Sequence, residues 1–251
     1  MTTLRIIYIL WLREIKRYYR ARSRIVGSLA QPVLFLVALG YGLGPVFNKA
    51  GQGNYINFLV PGVIGMSIIF TAIFSGVAVI WDRQFGFLRE TLVAPVSRLS
   101  IMAGRTLGGA TVATGQGIVV FFIAFLIGFR PAGWFGFIPA VFVMFLIAIL
   151  FTALGTGIAA RMKDIQGFQL IMNFLVMPVV FLSNAFFPLK GLPPALNIVV
   201  AANPFSYGVD ALRGFLSGAT HFAVGIDIAV LAATAVVFLV IGGYLFSTIE
   251  A

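Results

Sequence analysis

The stretch WFGFIPAVFVMFLIAILFTALGTGIAAR, residues 134–161, decides the fold class of this chain. It carries no charged residue from Trp134 to Ala160. An α-helix needs about 20 mainly apolar residues to cross the hydrocarbon core of a bilayer, and this stretch exceeds that length. A surface helix of a soluble protein would keep one polar face, which is missing here. The stretch therefore predicts a transmembrane helix.

The composition of the whole chain agrees with this prediction. Of 251 residues, 61% are hydrophobic and 10% are charged, whereas a soluble domain is roughly 45–50% apolar and about 25% charged. A soluble domain of this size still needs a polar surface that this composition cannot supply. The absence of cysteine also excludes disulfides and thiol chemistry. We therefore expect an integral membrane protein, and neither a soluble enzyme nor a disordered chain.

Reading outward from residues 134–161, five further apolar stretches are long enough to span a bilayer. The predicted fold class is an all-α integral membrane protein with six transmembrane helices, forming one transmembrane domain over residues 1–251. The six stretches run from about Ile25 to Phe47, from about Tyr55 to Trp81, between Arg105 and Arg130, between Trp134 and Arg161, from about Gln166 to Phe187, and from about Phe222 to Ser247.

The basic residues give this topology an orientation. Six spans place both termini on one side, and that side then holds thirteen of the 17 Lys and Arg residues. Lysine and arginine are enriched in cytoplasmic loops, so both termini are predicted to be cytoplasmic. The net charge of +10 is thus explained by contact with anionic headgroups, and no nucleic-acid partner is expected.

The N-terminal residues 1–24 are predicted to form a basic amphipathic helix on the cytoplasmic side. Apolar and aromatic residues recur there every three or four positions, with basic residues mainly between them. Such a helix is either a topology anchor or a collar that a cytoplasmic partner moves. The apolar positions are Leu4, Ile7, Tyr8, Trp11, Ile15, Tyr18 and Tyr19.

The cytoplasmic loop 82–100 contains a second short amphipathic pattern. Phe85, Leu88 and Leu92 recur at helical spacing, and Pro95 ends the run. A helix of this kind either rests on the membrane surface or inserts its apolar side chains into a groove of a partner.

The outer segment 188–221 is predicted to contain short helices that re-enter the membrane. Asn203 is a good N-cap and Pro204 suits the first helical position. Asp210 and Arg213, three residues apart, can pair on one helix face. The alternative is a simple capped loop outside the membrane.

The chain lacks the residues that ATP hydrolysis, ion-coupled transport and enzyme catalysis usually require. No G-x-x-x-x-G-K-[ST] loop is present to hold ATP, and His221 is the single histidine. An ion-coupled carrier or channel needs ionisable groups inside the spans, which are nearly free of charge. Arg105 and Asp227 lie near span ends, where snorkelling or a local ion pair is expected. The carrier or channel remains an alternative, and a membrane enzyme is a third reading without a catalytic cluster to support it.

Two sequence strings resemble the type-2 ABC exporter permeases, in the branch that holds bacterial multidrug, daunorubicin-type and nodulation-factor exporters. The first is Asn-Pro-x-x-Tyr-x-x-Asp-x-x-Arg at residues 203–213, and the second is Phe-Gly-x-Leu-x-Glu…Ala-Pro-x-Ser-Arg at residues 85–98. Their order, their topological sides and the six spans also agree, so the resemblance covers nearly the whole chain.

The resemblance implies roles for both strings. Loop 82–100 would hold a coupling helix that docks in a cleft of an ATPase subunit, and segment 188–221 would close the exit of the pathway. The implied ATPase-coupling residues are Phe85, Gly86, Leu88, Arg89, Glu90 and Pro95. The implied outer-gate residues are Asn203, Pro204, Tyr207, Asp210 and Arg213.

The resemblance also implies an assembly in the cytoplasmic membrane of a prokaryote. Two copies of this chain would pair with two ATPase subunits, which bind ATP and Mg²⁺, while this chain binds no cofactor. The path would lie at the dimer interface, lined by the first, second and fifth spans. Its cargo would be amphipathic, either drug-like or lipid-linked, with export of a polysaccharide or glycolipid as the alternative. The Gly104/Gly108 pair permits close helix packing, which we expect within one subunit.

Overall fold

A computed structural model of the chain describes residues 3–49, 54–87, 97–189 and 193–248, and the regular secondary structure in these ranges is helical. A single 3₁₀ turn, Trp134–Gly136, precedes α6. The α-helices are α1 (Thr3–Arg20), α2 (Arg22–Lys49), α3 (Tyr55–Phe74), α4 (Val77–Gln84), α5 (Arg98–Ile127), α6 (Phe137–Ala159), α7 (Ile165–Phe181), α8 (Pro194–Ala202), α9 (Pro204–Ser217) and α10 (Val224–Ser247).

Within the described ranges, five helical stretches are long and apolar enough to cross a membrane. They correspond to the first, second, third, fourth and sixth predicted spans. In the second stretch α4 continues α3 after a break of two residues. The five stretches are Ile25–Phe47, Tyr55–Gln84, Arg98–Ile127, Trp134–Ala159 and Val224–Ser247.

The predicted span from Gln166 to Phe187 is a shorter helix than expected. α7 has 17 residues and ends at Phe181, so it is about 25 Å long, against a hydrocarbon core of roughly 30 Å. Its last turn contains Pro178, which has no N–H to donate. At the end of the helix, the Asn203 side-chain amide donates to the carbonyls of Val179 (2.6 Å) and Leu182 (3.1 Å). A residue outside the helix thus stabilises its early end.

The α3 helix forms the centre of the bundle. Leu59, Ile64 and Ile68 are fully buried, and α3 packs against α2, α5, α6 and α9. The peripheral helices instead turn apolar side chains outward, as in Phe174 of α7 (84% exposed) and Val240 of α10 (67% exposed). In a protein that crosses a membrane, such faces contact lipid or another subunit.

The Gly104/Gly108 pair brings α1 and α5 into close contact. A Cβ on Gly104 would lie 2.8 Å from Leu10 Cβ, and a Cβ on Gly108 would lie 2.7 Å from Glu14 Cβ. The indole N–H of Trp11 also donates to Thr111 Oγ1 at 3.0 Å. The prediction of close packing within one subunit is confirmed, and the partner helix is the N-terminal one.

A Gly155→Ala substitution tests the close packing of α3 and α6. A Cβ at Gly155 would lie 2.5 Å from the carbonyl oxygen of Ile73, a backbone atom that cannot rotate away. We expect the change to lower the free energy of unfolding by about 1–3 kcal/mol, as overpacking does. Gly115→Ala is the control, because nothing lies within 4 Å of its Cβ; it should be neutral or stabilising by up to about 1 kcal/mol. Thermal unfolding in detergent measures both, and equal midpoints would contradict the prediction.

Candidate functional site

A buried ion-pair cluster joins three helices at the end of the bundle that holds the N-terminal helix. Asp82 of α4 is only 3% exposed. Its Oδ1 accepts from Arg13 Nη2 (2.8 Å) and Arg17 Nη2 (3.1 Å) of α1, and its Oδ2 pairs with Arg105 Nη2 of α5. These four residues form what we call the Asp82 cluster. One carboxylate thus binds three guanidinium groups. Because an unpaired charge in a buried position is costly, these residues are stable there only while they remain in contact.

The helices explain how these residues meet. Asp82 lies near the end of the second span and Arg105 near the start of the third, so antiparallel packing brings them to the same level. The contact of α1 with Gly104 and Gly108 then places Arg13 and Arg17 beside them. For Arg105 we expected snorkelling or a local ion pair, and the structure shows the ion pair. From the sequence we had used Asp82 only to mark the end of the second span, and we missed that it binds three arginines. The signal was an acidic residue at a span end where the neighbouring charges are basic.

The next two residues connect α4 to the end of α6. Arg83 donates from Nη1 to the carbonyl of Met162 and from Nη2 to that of Ala160, both at 2.7 Å. The Gln84 amide donates to the carbonyl of Lys163 at 3.2 Å. A cation at the carbonyl end of a helix also interacts favourably with the helix dipole. The last turn of α4 is therefore tied to α1, α5 and α6.

The predicted coupling residues begin directly after this turn. Phe85 is the C-cap of α4: its N–H donates to the carbonyl of Trp81 at 3.0 Å, and its side chain is 72% exposed. Gly86 has φ +80°, a conformation that favours glycine. The other predicted coupling residues, Leu88, Arg89, Glu90 and Pro95, lie outside the described residues.

A second buried polar cluster lies at the opposite end of the bundle. Asp210 of α9 is fully buried. Its Oδ2 accepts from the backbone N–H groups of His221 (2.8 Å) and Phe222 (2.7 Å), and its Oδ1 lies 3.8 Å from Arg213 Nη1. The predicted pair of Asp210 and Arg213 is present, and Asp210 also holds the turn that leads into α10.

Arg213 extends this cluster to α3 and to the segment after α7. Its Nη2 donates to the backbone carbonyl of Asn184 at 2.8 Å, and its guanidinium lies 4.1 Å from the centre of the Phe58 ring. The Asn184 side-chain amide also approaches Asp210 Oδ1 at 3.4 Å. We call Asn184, Asp210 and Arg213 the Asp210 cluster. Sequence reasoning missed Asn184, which carries no local motif.

The start of α9 follows the sequence prediction. Asn203 is the N-cap, with its Oδ1 accepting from the N–H of Phe205 at 3.0 Å, and Pro204 is the first helical residue. The same side chain also binds the end of α7, as described above. Tyr207 donates to the carbonyl of Ala201 at 2.8 Å and stacks on Phe222. All five predicted outer residues therefore lie in one packed region that links α7, α8, α9 and the start of α10.

A partly open cavity of about 220 Å³ lies between the end of α1, α2 and α3. Nearby, Gln116 Oε1 accepts from the hydroxyls of Tyr18 (2.5 Å) and Ser28 (3.2 Å). None of the described lining residues is charged, and they combine hydroxyl and amide groups with aromatic and thioether side chains. The lining residues are Tyr18, Ser28, Gln31, Pro32, Met66, Ser67, Phe70, Thr71 and Phe74. Helices of the first and second predicted spans thus form it, without α7.

Asp227 corrects a sequence expectation. We expected it to snorkel or to form a local pair, yet it is fully buried and neither carboxylate oxygen has a hydrogen-bond partner within the described residues. The sequence shows how far a residue lies from a span end, but not which face of the helix packs inward. Here the face with Asp227 packs against the bundle.

Comparison with known proteins adds a family to this geometry. Residues 5–216 match the family model described as ABC-2 type transporter. The chain is 29% identical to Nodulation protein J of Rhizobium leguminosarum bv. viciae, covering 88% of this chain and 87% of that protein. It is 26% identical to the Daunorubicin resistance ABC transporter permease protein DrrB1 of Streptomyces coeruleorubidus (91% and 81%) and 29% identical to the Inner membrane transport permease YadH of Escherichia coli K12 (82% and 81%). Since the family model covers most of the chain, this protein belongs to the ABC-2 type transporter family of membrane permeases.

Proposed function

We propose that the chain is the transmembrane subunit of an ATP-driven exporter of the cytoplasmic membrane, working with a separate ATPase. Membership of the ABC-2 family implies a non-catalytic permease with an ABC ATPase partner. It also favours ATP-driven transport over the ion-coupled carrier or channel that the sequence left open. The observation that carries the mechanism is the Asp82 cluster, which ties α1 and α5 to the helix leading into the coupling segment.

The proposal includes six spans with both termini in the cytoplasm. In this arrangement α7 is the fifth span, and the non-helical residues that follow Phe181 complete the crossing while they pack against α9. Two arginines from the segments between spans bond to the last residues of α10, so these basic segments and the end of α10 lie at the same end of the bundle. Arg98 bonds to the carbonyl of Ser247, and Arg161 bonds to Thr248 Oγ1 at 2.9 Å. An end so rich in arginine is the one expected to face the cytoplasm.

In the proposed mechanism, ATP binding on the partner moves the segment after Gln84. The ion pairs of Asp82 would move α1 together with α4, and the hydrogen bonds of Arg83 would move the end of α6 with them. Six helices make half of a pathway, so a second copy related by two-fold symmetry would complete it. The exposed apolar faces of α2 and α7 are then available for the path and the dimer contact. The Asp210 cluster would hold the outer end closed.

The cavity beside α2 and α3 supports an amphipathic cargo. Its volume of about 220 Å³ is below the 300–1,000 Å³ typical of sites for drug-sized ligands, so one subunit would hold only part of the molecule. Its neutral hydroxyl and amide groups suit an uncharged polar head, and its aromatic and methionine side chains suit an apolar body. A drug-like molecule and a lipid-linked saccharide both meet this description. Two of the relatives carry nodulation and daunorubicin resistance in their names.

The coupling role is tested by Leu88→Ala. If Leu88 inserts into a cleft of the ATPase, its truncation should cost about 2 kcal/mol of binding, as at an interface hot spot, and weaken ATPase binding about 30-fold. Binding is measured between the purified permease and its ATPase, and transport in proteoliposomes with ATP. The control is Leu126→Ala, the same change at an exposed site at the far end of α5. Transport driven by an ion gradient without ATP would overturn the proposed function.

A further inference from the structure

Asp227 occupies a position at which an aspartate usually has a simple local role. It lies in the first turn of α10, where carboxylates commonly accept hydrogen bonds from free backbone N–H groups and oppose the helix dipole. Asp227 makes no such bond. The N-cap is Ala223, the N–H of Asp227 is bonded to the carbonyl of that residue, and both carboxylate oxygens lack a partner within the described residues.

The packing of α9 on α10 places Asp227 beside the Asp210 cluster. A Cβ on Gly208 would lie 3.5 Å from a methyl group of Leu231, and a Cβ on Gly214 would lie 3.3 Å from a methyl group of Val224. These two contacts set an antiparallel register between the helices. In that register Asp227 lies at the level of Asp210, on the inward face that it shares with Leu231, four residues later.

No cation in the described surroundings is free to neutralise Asp227. From α9, Arg213 is already engaged by Asp210, the carbonyl of Asn184 and the Phe58 ring. From the turn before α10, His221 contributes its backbone N–H to Asp210, and its ring packs on Phe222. α6, which also packs on α10, has no ionisable residue along its length. α5 contacts the far end of α10, where Met102 meets Gly242, and its arginines are engaged there by the carbonyl of Ser247 (Arg98) and by Asp82 (Arg105).

The free energy of burying a charge decides between the two forms of this side chain. An ionised carboxylate without a partner in a buried, apolar setting is so costly that the group takes up a proton instead. A second negative charge near Asp210 would add like-charge repulsion. A neutral carboxylic acid removes both costs, although its hydroxyl still lacks a strong partner.

From these contacts we propose that Asp227 is a proton-binding site at the outer end of the bundle. The carboxyl group holds its proton while α9 and α10 are packed together. When they separate, the O–H bond breaks, the proton passes to water on the outer side, and the carboxylate keeps the electron pair. The two adjacent carboxylates then repel each other and oppose reclosure of α9 on α10, so a proton must return before the outer end closes.

Proton binding itself is tested by infrared spectroscopy of the full-length chain in lipid nanodiscs, without ATP or cargo. The carboxylic acid C=O stretch is separate from carboxylate bands, and ¹³C-labelled aspartate identifies it. We expect this band at neutral pH in the wild type and its loss in Asp227→Asn. Asp164→Asn is the matched control, because Asp164 caps α7 at the surface and bonds to the N–H of Gly167. The band should survive that change, and its absence from the wild type or its persistence in Asp227→Asn would overturn the proposal.

The pH dependence of stability gives a second test. If the folded state holds one more proton than the unfolded state, the free energy of unfolding falls as the pH rises. Asp227→Asn cannot release a proton, so its thermal midpoint should match the wild type in acid and exceed it in alkali. The opposite pattern, in which the variant matches the wild type in acid and is less stable in alkali, would show that Asp227 is ionised and paired and would overturn the proposal. Neither test involves transport. A negative result would therefore overturn the proton-binding site without bearing on the proposed exporter function.

Discussion

Replacing Asp82 with alanine is expected to lower the free energy of unfolding by about 3–5 kcal/mol, the cost of removing one partner from a buried ion pair. Arg105, at 4% exposed, would then be a buried cation that has lost its one ion-pair partner among the described residues. Arg13 and Arg17 would lose the contact that holds α1 to α4. Thermal unfolding in detergent measures the loss of stability, and protease accessibility of α1 reports its release from the bundle.

Two further variants separate the charge from the shape of Asp82. Asp82→Asn should lose nearly as much stability as alanine, whereas Asp82→Asn combined with Arg105→Gln should recover part of it by removing the unpaired charge. Glu14→Gln is the control, because Glu14 pairs with one arginine, Arg17, at the longer distance of 3.7 Å, so its loss should be clearly smaller than that of Asp82, which binds three. Equal stability of Asp82→Asn and the wild type would refute the structural role of the cluster.

Arg213→Gln should produce a loss of stability of similar size at the opposite end of the bundle, which the proposed function places on the outer side. The change leaves Asp210 without its ion-pair partner in a fully buried position and removes the contacts to Asn184 and Phe58. Removal of one member of a buried pair again costs about 3–5 kcal/mol. Thermal unfolding measures it, and ATP hydrolysis without transport in the reconstituted complex would indicate that the outer end no longer closes.

Arg130→Gln is the matched control for that experiment. Arg130 is also an outer-end arginine above an aromatic ring, 4.7 Å from the centre of Phe125, but its remaining bonds are to nearby backbone and it is exposed. An exposed cation–π contact is worth about 0.5–1 kcal/mol. If the two glutamine variants lose equal stability, the buried ion pair of Arg213 stabilises the protein no more than an exposed contact does. The Asp210 cluster would then not hold the helices of that end together.

Short-range features of this fold were predictable because their causes are local. Asn203 followed by Pro204 predicted the start of α9, since an N-cap and a proline at the first helical position depend on neighbours alone. Asp210 and Arg213 were predicted to meet because three residues of helix bring them to one face. Five of the spans follow from length and hydropathy. Family membership was also predictable, because the two motifs and their order are properties of the sequence.

Contacts between distant residues were not predictable in this way. Arg13 and Asp82 are 69 positions apart, and their ion pair depends on the approach of α1 to the glycines of α5. The early end of α7 depends on Asn203, more than 20 positions later. Asp227 was expected to snorkel or to form a local pair, because the sequence does not show which side of α10 packs inward.

The sequence by itself therefore determined that this protein is a helical membrane permease and the positions of most of its spans, and it predicts that the basic end faces the cytoplasm. These properties follow from the transfer of apolar segments out of water, which depends on composition over about 20 residues. Only the tertiary structure decided which of the few charges are neutralised and which are not. Among the described residues, three arginines bind Asp82, one pairs with Asp210, and none pairs with Asp227. The sequence could not show this, because the energy of a buried charge is set by the groups that packing brings within a few ångströms.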